Sequence, residues 1–154
     1  MPPSLRTAVR EDRDAILALM VAVIHGSVER PHQAGTIENV TKNLQIWQQD
    51  PSNCLHLVAE VQDGIVGVVL VKEFWNLCSL FVAHDCQGQG IGRRLVNAAI
   101  EICRTKSPTG TINLNSAPNA ITFYRALGFT PRESNQVLPT GFLPMTLQLA
   151  ASKA

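Results

Sequence analysis

The chain is poor in charge, in aromatic residues and in long hydrophobic runs. Charged residues make up 16% of its 154 residues, the formal net charge is +1, and there is a single tyrosine. This composition provides no basic surface for nucleic acid or for an anionic membrane. No apolar run approaches the length that spans a bilayer, and the chain does not open with a signal-peptide pattern. We therefore expect a cytoplasmic protein whose partners are neither nucleic acids nor membranes.

The cysteines lack the spacing of a disulfide framework or of a metal site. Cys54, Cys78, Cys86 and Cys103 are scattered, with no Cys-x-x-Cys pair among them. Reduced thiols in the cytoplasm are the better interpretation, and we expect no bound metal. Hydrophobic residues, in contrast, make up 45% of the chain. Its length suits one domain, which we expect to cover residues 1–154.

The most informative segment is a glycine-rich run between two apolar stretches. Gln87-Gly88-Gln89-Gly90-Ile91-Gly92-Arg93-Arg94 follows a predicted strand and opens segment 95–102, whose apolar residues recur at helical spacing. The first amides of a helix have no partner within the helix and lie at the positive end of its dipole. Glycines leave those amides uncovered, and the two arginines add positive charge. The run therefore predicts a loop that binds a phosphate group.

The spacing of this loop decides between the known kinds of phosphate ligand. A nucleotide P-loop requires Gly-Lys-Ser/Thr after four residues, and no lysine is present here. A dinucleotide fingerprint requires glycine at the sixth position from Gly88, where this chain has Arg93. The remaining pattern, Gln-x-x-Gly-x-Gly, resembles the pyrophosphate loop of the GCN5-related N-acetyltransferases, which bind acetyl-coenzyme A. The preceding Leu80-Phe81-Val82-Ala83-His84-Asp85 resembles the family's central strand and its exit, with His84 at the usual proline.

A second segment resembles the same family. Residues 119–129 match its tyrosine-bearing helix, with Tyr124, and the Gly-Phe that begins the next strand. The predicted elements follow the family's order, βααβββαβαββ, so the resemblance covers nearly the whole chain. It implies the α/β acyl-CoA N-acyltransferase fold, a central mixed, mostly antiparallel sheet with helices on both faces. The predicted strands are 4–9, 55–61, 65–71, 74–82, 111–115, 129–134 and 142–149, and the predicted helices are 11–24, 36–49, 95–102 and 119–127.

Three local features accompany these elements. Residues 31–35 predict a break between the first two helices, and Thr36 is predicted to cap the second. Gln62-Asp63-Gly64 predicts a hairpin turn. Acceptor pockets in this fold are made by the connection of the first two helices and by the final hairpin, here residues 25–30 and 137–142 with Trp47.

The resemblance implies a set of cofactor contacts. Acetyl-CoA is the implied co-substrate, with its pantetheine arm on the backbone of Leu80, Phe81 and Val82 and its diphosphate on residues 87–93. The strand is expected to separate from its neighbour at a bulge, leaving a gap for this arm. Many relatives place an asparagine seven residues before the tyrosine, where this chain has Ala117. Asn119 is therefore the nearby candidate for a cofactor contact, and it is also suited to capping the following helix.

The resemblance also implies a catalytic role for Tyr124. The phenol of this residue lies near the sulfur in the family and protonates the departing thiolate. A backbone N–H near Val82 is the implied donor to the oxyanion. The central strand carries no carboxylate, so no general base is assigned. Glu38, Glu60, Glu73 and His84 are candidates, as is a chain of water molecules.

The predicted reaction is direct transfer to the primary amine of a small molecule within a ternary complex. No cysteine has the histidine and carboxylate neighbours of a nucleophile, although Cys86, beside the helix terminus, is a candidate for a lowered thiol pKa. A protein or peptide amine is the alternative acceptor. A non-catalytic acyl-CoA sensor that binds a partner protein is the alternative class, and the presence of Tyr124 favours the enzyme. A homodimer is left open.

Overall fold

Seven strands form one sheet in the computed structural model, which describes residues 2–62 and 64–149. Their order across the sheet is β1-β2-β3-β4-β5-β7-β6. Every recorded neighbour pair is antiparallel except β4 and β5, which run parallel. The strands are β1 Ser4–Thr7, β2 Cys54–Val61, β3 Gly64–Lys72, β4 Asn76–Val82, β5 Thr111–Ser116, β6 Thr130–Pro131 and β7 Leu143–Gln148.

Four α-helices cover the two faces of this sheet within the described ranges. They are α1 Arg13–Ser27, α2 Arg30–Gln49, α3 Ile91–Lys106 and α4 Ile121–Ala126. Helices α1 and α2 share a core with side chains of one face, such as Val58 and Leu70. Helices α3 and α4 share a second core with the other face, such as Leu57 and Val69. Because β2 and β3 are buried on both faces, their sequences are almost continuously apolar.

The second helix begins earlier than the sequence predicts. Helix α2 starts at Arg30, with Pro31 in its first turn. Proline is tolerated there because its missing N–H would have had no partner in the helix anyway. The predicted break at 31–35 and the predicted cap are therefore wrong. Thr36 lies inside the helix, where its Oγ1 donates to the carbonyl of His32 at 2.8 Å.

Two strands are shorter than the sequence predicts. Glu73 and Phe74 have φ values of +54° and +62°, so they form a tight turn and β4 begins only at Asn76. Strand β6 has two residues rather than six, since the chain leaves the sheet after Pro131. Asp63 of the predicted hairpin turn lies outside the described residues.

Within the part of the chain that the structure describes, no helix combines the length and the apolar character needed to cross a membrane. No group of three or more metal-ligating side chains converges there either.

Candidate active site

The candidate site begins where β4 and β5 separate. Among the described residues the two strands pair at one position, Asn76 with Asn113, and the amide of Asn113 donates to the carbonyl of Trp75 at 2.7 Å. Just beyond this pair, the register between β3 and β4 shifts, which leaves Cys78 as an extra residue on β4. Such a bulge bends a strand and increases its twist. A gap therefore opens between the carboxyl-terminal halves of β4 and β5.

Backbone groups of β4 face this gap at alternate residues. The amide of Ala83 donates to the carbonyl of Val66 at 2.9 Å. In an antiparallel pair the bonded residues alternate with residues whose groups point away. Phe81, opposite Val68, therefore bonds to β3, while Leu80 and Val82 present their backbone groups to the gap. The predicted backbone contact of Phe81 does not fit this pairing.

Gln87 holds the end of β4 against the glycine loop. Its Nε2 donates to the carbonyl of Val82 at 2.9 Å. This bond occupies the carbonyl of Val82, which faces the gap. The amide of Val82 remains as a donor that faces the gap. Gln87 thus links the end of the strand to the loop.

Two residues of the glycine loop have a left-handed backbone conformation that favours glycine. Gly88 and Gly90 have φ values of +81° and +83°, where any other residue would be strained. No described atom lies within 4 Å of where a Cβ would stand on either residue. Gly90 precedes α3, and no described side chain caps that helix. The first amides of α3 are therefore left without a side-chain partner among the described residues, an arrangement that suits an anion.

Gly92 and the two arginines have different tasks in this loop. A Cβ on Gly92 would stand 3.5 Å from the ring of Phe123 and 3.8 Å from Val82, at ordinary contact distances, so packing does not require glycine at this position. The Nη1 of Arg94 donates to the carbonyl of Pro3 at 2.7 Å, which ties α3 to the N-terminal segment. Arg93 is exposed and is the arginine that remains for a phosphate group.

Tyr124 lies in the core beneath this loop, and its ring is 8% exposed. The ring stands edge-on to Phe123 and Phe129, with centroids 5.1 and 5.6 Å away. Burial raises the pKa of Tyr124, so the phenol is protonated at neutral pH. Its hydroxyl forms no hydrogen bond with any described residue, which leaves it available to a ligand.

Asn119 does not cap the helix that follows it. It is exposed in a short 3-10 turn, Pro118–Ala120, and α4 begins after Ala120 with no side-chain cap from the described residues. The predicted capping role is therefore wrong. The predicted cofactor contact stays a prediction.

The thiol of Cys86 does not have the lowered pKa that the sequence predicts. Burial raises the pKa of its thiol and the adjacent carboxylate of Asp85 raises it further. Its Sγ lies 3.6 Å from the Oδ1 of Asp85. The prediction of a lowered pKa is wrong because burial and the nearby carboxylate both raise the pKa of this thiol.

The candidate general bases are dispersed. Glu60 pairs with Arg6 at 3.1 Å on β2, two strands away from β4, and this pairing lowers the pKa of its carboxyl. Glu38 lies on α2, 3.9 Å from Lys42, and Glu73 lies in the turn that begins β4. His84 alone of the four stands at the end of β4, where its ring packs against Gly26 of α1.

The structure also brings together polar residues that the sequence analysis did not identify. On β5 and β7, Thr146 donates through Oγ1 to the Oδ1 of Asn113 at 2.6 Å. Next to this pair, the Nη2 of Arg132 donates to the Oδ1 of Asn115 at 3.1 Å. The alternation of polar and apolar residues in 111–116 predicts one wet face, but the partners from β6 and β7 are distant in sequence. On β4, the buried hydroxyl of Ser79 has no partner among the described residues.

Comparisons with known proteins agree with this geometry. An acetyltransferase (GNAT) domain model matches residues 27–149. The chain is 28% identical over 130 residues to the peptidyl-lysine N-acetyltransferase YjaB of Salmonella typhimurium, covering 82% of each. A GCN5-related N-acetyltransferase structure of Rhodopseudomonas palustris superposes with a TM-score of 0.77 at 22% identity, covering 96% of both chains. The PaiA N-acetyltransferase of Thermoplasma acidophilum, solved with coenzyme A, gives 0.77 at 18% identity, covering 96% of this chain and 99% of that one.

The structural matches confirm the predicted acyl-CoA N-acyltransferase fold, and the match to the acetyltransferase domain model confirms acetyl-CoA as the co-substrate. Because the domain model matches most of the chain, the protein belongs to the GNAT family of acetyl-CoA-dependent N-acetyltransferases.

Proposed function

We propose that this protein transfers the acetyl group of acetyl-CoA to the primary amine of a small molecule, by direct attack within a ternary complex. The observation that carries the proposal is the continuous path from the gap between β4 and β5 to the exposed amides of α3. Strand backbone without a partner suits a peptide-like arm, and helix amides suit a diphosphate.

Each part of this path has a role in binding. The backbone of Leu80 pairs with the amides of the pantetheine arm, as an added strand would, whereas the carbonyl of Val82 is already bonded to Gln87. The amides of residues 88–92 and the side chain of Arg93 bind the diphosphate, and exposed Asn119 contributes a further polar contact. Bound acetyl-CoA supplies the activated thioester. The amide of Val82 faces the gap and is the donor best placed for the oxyanion.

Tyr124 acts as the general acid. A protonated phenol without a hydrogen-bond partner in the described structure is able to donate to a departing thiolate. The three carboxylate candidates lie away from the gap, so His84, at the end of β4, and water remain as acceptors of the amine proton.

Direct transfer is supported by the state of the thiols. Burial raises the pKa of Cys78 and of Cys103 to about 11, and burial also raises those of Cys54 and Cys86. A thiol needs a lowered pKa to act as a nucleophile at neutral pH. No acetyl-cysteine intermediate is therefore proposed. All four cysteines are free, which suits the cytoplasm.

The proposal is tested by measuring acetyl-CoA-dependent thiol release with a panel of small amines and a panel of lysine peptides. We expect release with one class of small amine, and no stoichiometric protein adduct by intact mass when acetyl-CoA is added alone. Release with peptides only would replace the acceptor class by peptidyl lysine, the activity named for the relative from Salmonella typhimurium. Binding of acetyl-CoA without release in any arm would favour a non-catalytic sensor.

A further inference from the structure

Arg132 is held in a fixed position on the polar face of the sheet. Its amide donates to the carbonyl of Pro144 at 3.0 Å, just after β6. Its Nε donates to the carbonyl of Met145 and its Nη2 to the Oδ1 of Asn115, both at 3.1 Å. These bonds draw the guanidinium back across β7 toward β5. The side chain is half-buried rather than extended into solvent.

The charge of this guanidinium is not balanced by an acid within the described residues. Their ion pairs involve Arg6, Arg13, Lys42 and Arg104, and none includes Arg132. Two of its five N–H groups are engaged by its side-chain bonds, and Nη1 is not among them. Burying a charge costs free energy unless an opposite charge or hydrogen bonds compensate it. The free donors therefore indicate an anionic ligand.

The residues that strand pairing places beside Arg132 are uncharged. Strand pairing places Asn113, Thr146 and Thr130 in one row, and Asn115 and Pro144 in the next row beside Arg132. These side chains alternate with buried Ile112, Leu114 and Met145, which face the opposite core. The polar surface thus offers amides, hydroxyls and one guanidinium.

This surface adjoins the gap on the side from which an acceptor can enter. Asn76 of β4 and Asn113 of β5 are parallel partners and share this face of the sheet. Helix α1 packs on the same face over β3 and β4, so β5 and β7 lie beside it with their polar side chains partly exposed. The unpartnered hydroxyl of Ser79 lies on this face of β4, opposite Leu70.

We propose that the acceptor carries a carboxylate as well as its amine, and that Arg132 binds this carboxylate while the amine reaches the gap. This inference rests on the proposed acetyl transfer to a small amine. The planar fork of arginine suits two parallel bonds to a carboxylate. The class of substrate is therefore a small amino acid or amino-acid-like compound, and a polyamine is disfavoured by the same positive charge.

The test compares acceptors that differ only in the carboxylate. Initial rates of thiol release are measured for the protein amino acids, β-alanine and 4-aminobutyrate, each as the free acid and as the primary amide. We expect kcat/KM for the best free acid to exceed that of its amide by about 10- to 100-fold, the value of one hydrogen bond to a charged group. Equal rates for acid and amide would overturn the proposal.

Two variants locate the effect. Arg132→Gln should reduce the acid-to-amide ratio to near one, mainly through KM for the acid, and Arg132→Lys should restore part of it because it keeps the charge without the fork. Arg104→Gln removes an exposed arginine that pairs with Glu101 on α3, and it should leave the ratio unchanged. Equal losses for acid and amide in Arg132→Gln would show that Arg132 only pins segment 132–142 to the sheet.

A binding measurement separates this proposal from the proposed reaction. The same acids and amides are titrated calorimetrically into protein saturated with coenzyme A. Tighter binding of an acid than of its amide, lost in Arg132→Gln, supports the carboxylate site even if no thiol is released, in which case the transfer reaction fails alone. Equal binding of both forms overturns the carboxylate site whatever the rates show.

Discussion

The two halves of the sheet are built on different principles. In the half formed by β1 to β4, helices cover both faces, and β2 and β3 are apolar on each side. In the half formed by β5, β7 and β6, one face packs on a core and the other carries amides, hydroxyls and Arg132. The candidate site lies where the halves meet and their pairing fails. The first half is therefore buried on both faces, and the second keeps a polar face partly open to solvent.

The largest expected effect is on stability, and it should differ between the halves. Leu70 is 1% exposed in the covered half, so Leu70→Ala should lower the free energy of unfolding by about 2–5 kcal/mol through lost burial and a residual cavity. Thr146→Val in the open half removes one hydrogen bond to Asn113 and should cost about 1 kcal/mol. Urea unfolding measures both. Equal losses would mean that the polar face contributes as much to stability as the core does.

The next effect concerns Tyr124, at the junction of the halves. Tyr124→Phe keeps the ring between Phe123 and Phe129 and removes only the proton donor. Turnover should fall about 10²-fold, near the low end for general acids because coenzyme A is a good leaving group. The Kd for acetyl-CoA should change little. Thr122→Ala, at an exposed position on the same helix, is the control. A loss of acetyl-CoA binding in Tyr124→Phe would make the tyrosine a binding residue and favour the sensor.

Acid should destabilise the covered half through His56. Burial lowers the pKa of His56 to about 4, against 6.5 in the unfolded chain. Its Nδ1 has no partner among the described residues, its ring stands edge-on to Trp47, and the charged group acting on it is Asp12. Below pH 6.5 the unfolded chain binds a proton that the folded chain does not. The contribution of His56 to the free energy of unfolding is therefore at its full value above pH 6.5. Between pH 6.5 and 4 it falls by about 1.4 kcal/mol per pH unit.

Urea unfolding at a series of pH values measures this loss. His56→Gln should flatten the curve between pH 6.5 and 4, whereas His32→Gln, at an exposed position, should not. An unchanged slope in His56→Gln would assign the pH dependence to other groups. Asp12 contributes separately, because its bond to Arg6 lowers the pKa of its carboxyl, so its contribution is lost only at lower pH.

The smallest effect compares two buried serines on either side of the gap. Ser79→Ala removes a hydroxyl without a partner in the described structure, so the free energy of unfolding should stay constant or rise by about 1 kcal/mol. Ser116→Ala breaks a bond of 2.9 Å to the carbonyl of Ala117 and should lower it by a similar amount. Thermal unfolding resolves the opposite signs. Destabilisation by Ser79→Ala would indicate that a bound water satisfies this hydroxyl.

Much of the fold and part of the site were predictable because their determinants are local. The glycine loop is a contiguous motif whose left-handed residues, Gly88 and Gly90, follow from its composition. The alternation of elements predicted the order of strands and helices, which the matching domain model and structures confirm. The start of α2 was missed because Pro31 and Gly35 are helix breakers in general, yet Pro31 lies in the one turn where proline is tolerated.

What could not be predicted depends on contacts between distant segments. The thiol of Cys86 was expected to follow the helix dipole, but its burial in the folded chain, and after that the carboxylate of Asp85, raise its pKa. The bonds of Arg132 to Asn115 and Met145 depend on the register of β6, β7 and β5. Nothing in the sequence around Arg132 marks that register. The same holds for Arg94, whose partner, the carbonyl of Pro3, is 91 residues away.

The start of α3 and the tyrosine helix α4 pack in one core, which includes Ile91, Phe123 and Tyr124. Because that core is closely packed, it fixes the position of the glycine loop relative to Tyr124. The distance between the loop amides and Tyr124 is thereby fixed. A fixed distance suits an acyl donor of one length, with an anionic group at one end and the acyl group at the other. An acetyl donor that lacks the nucleotide portion would contact only one end and lose the alignment that the other provides.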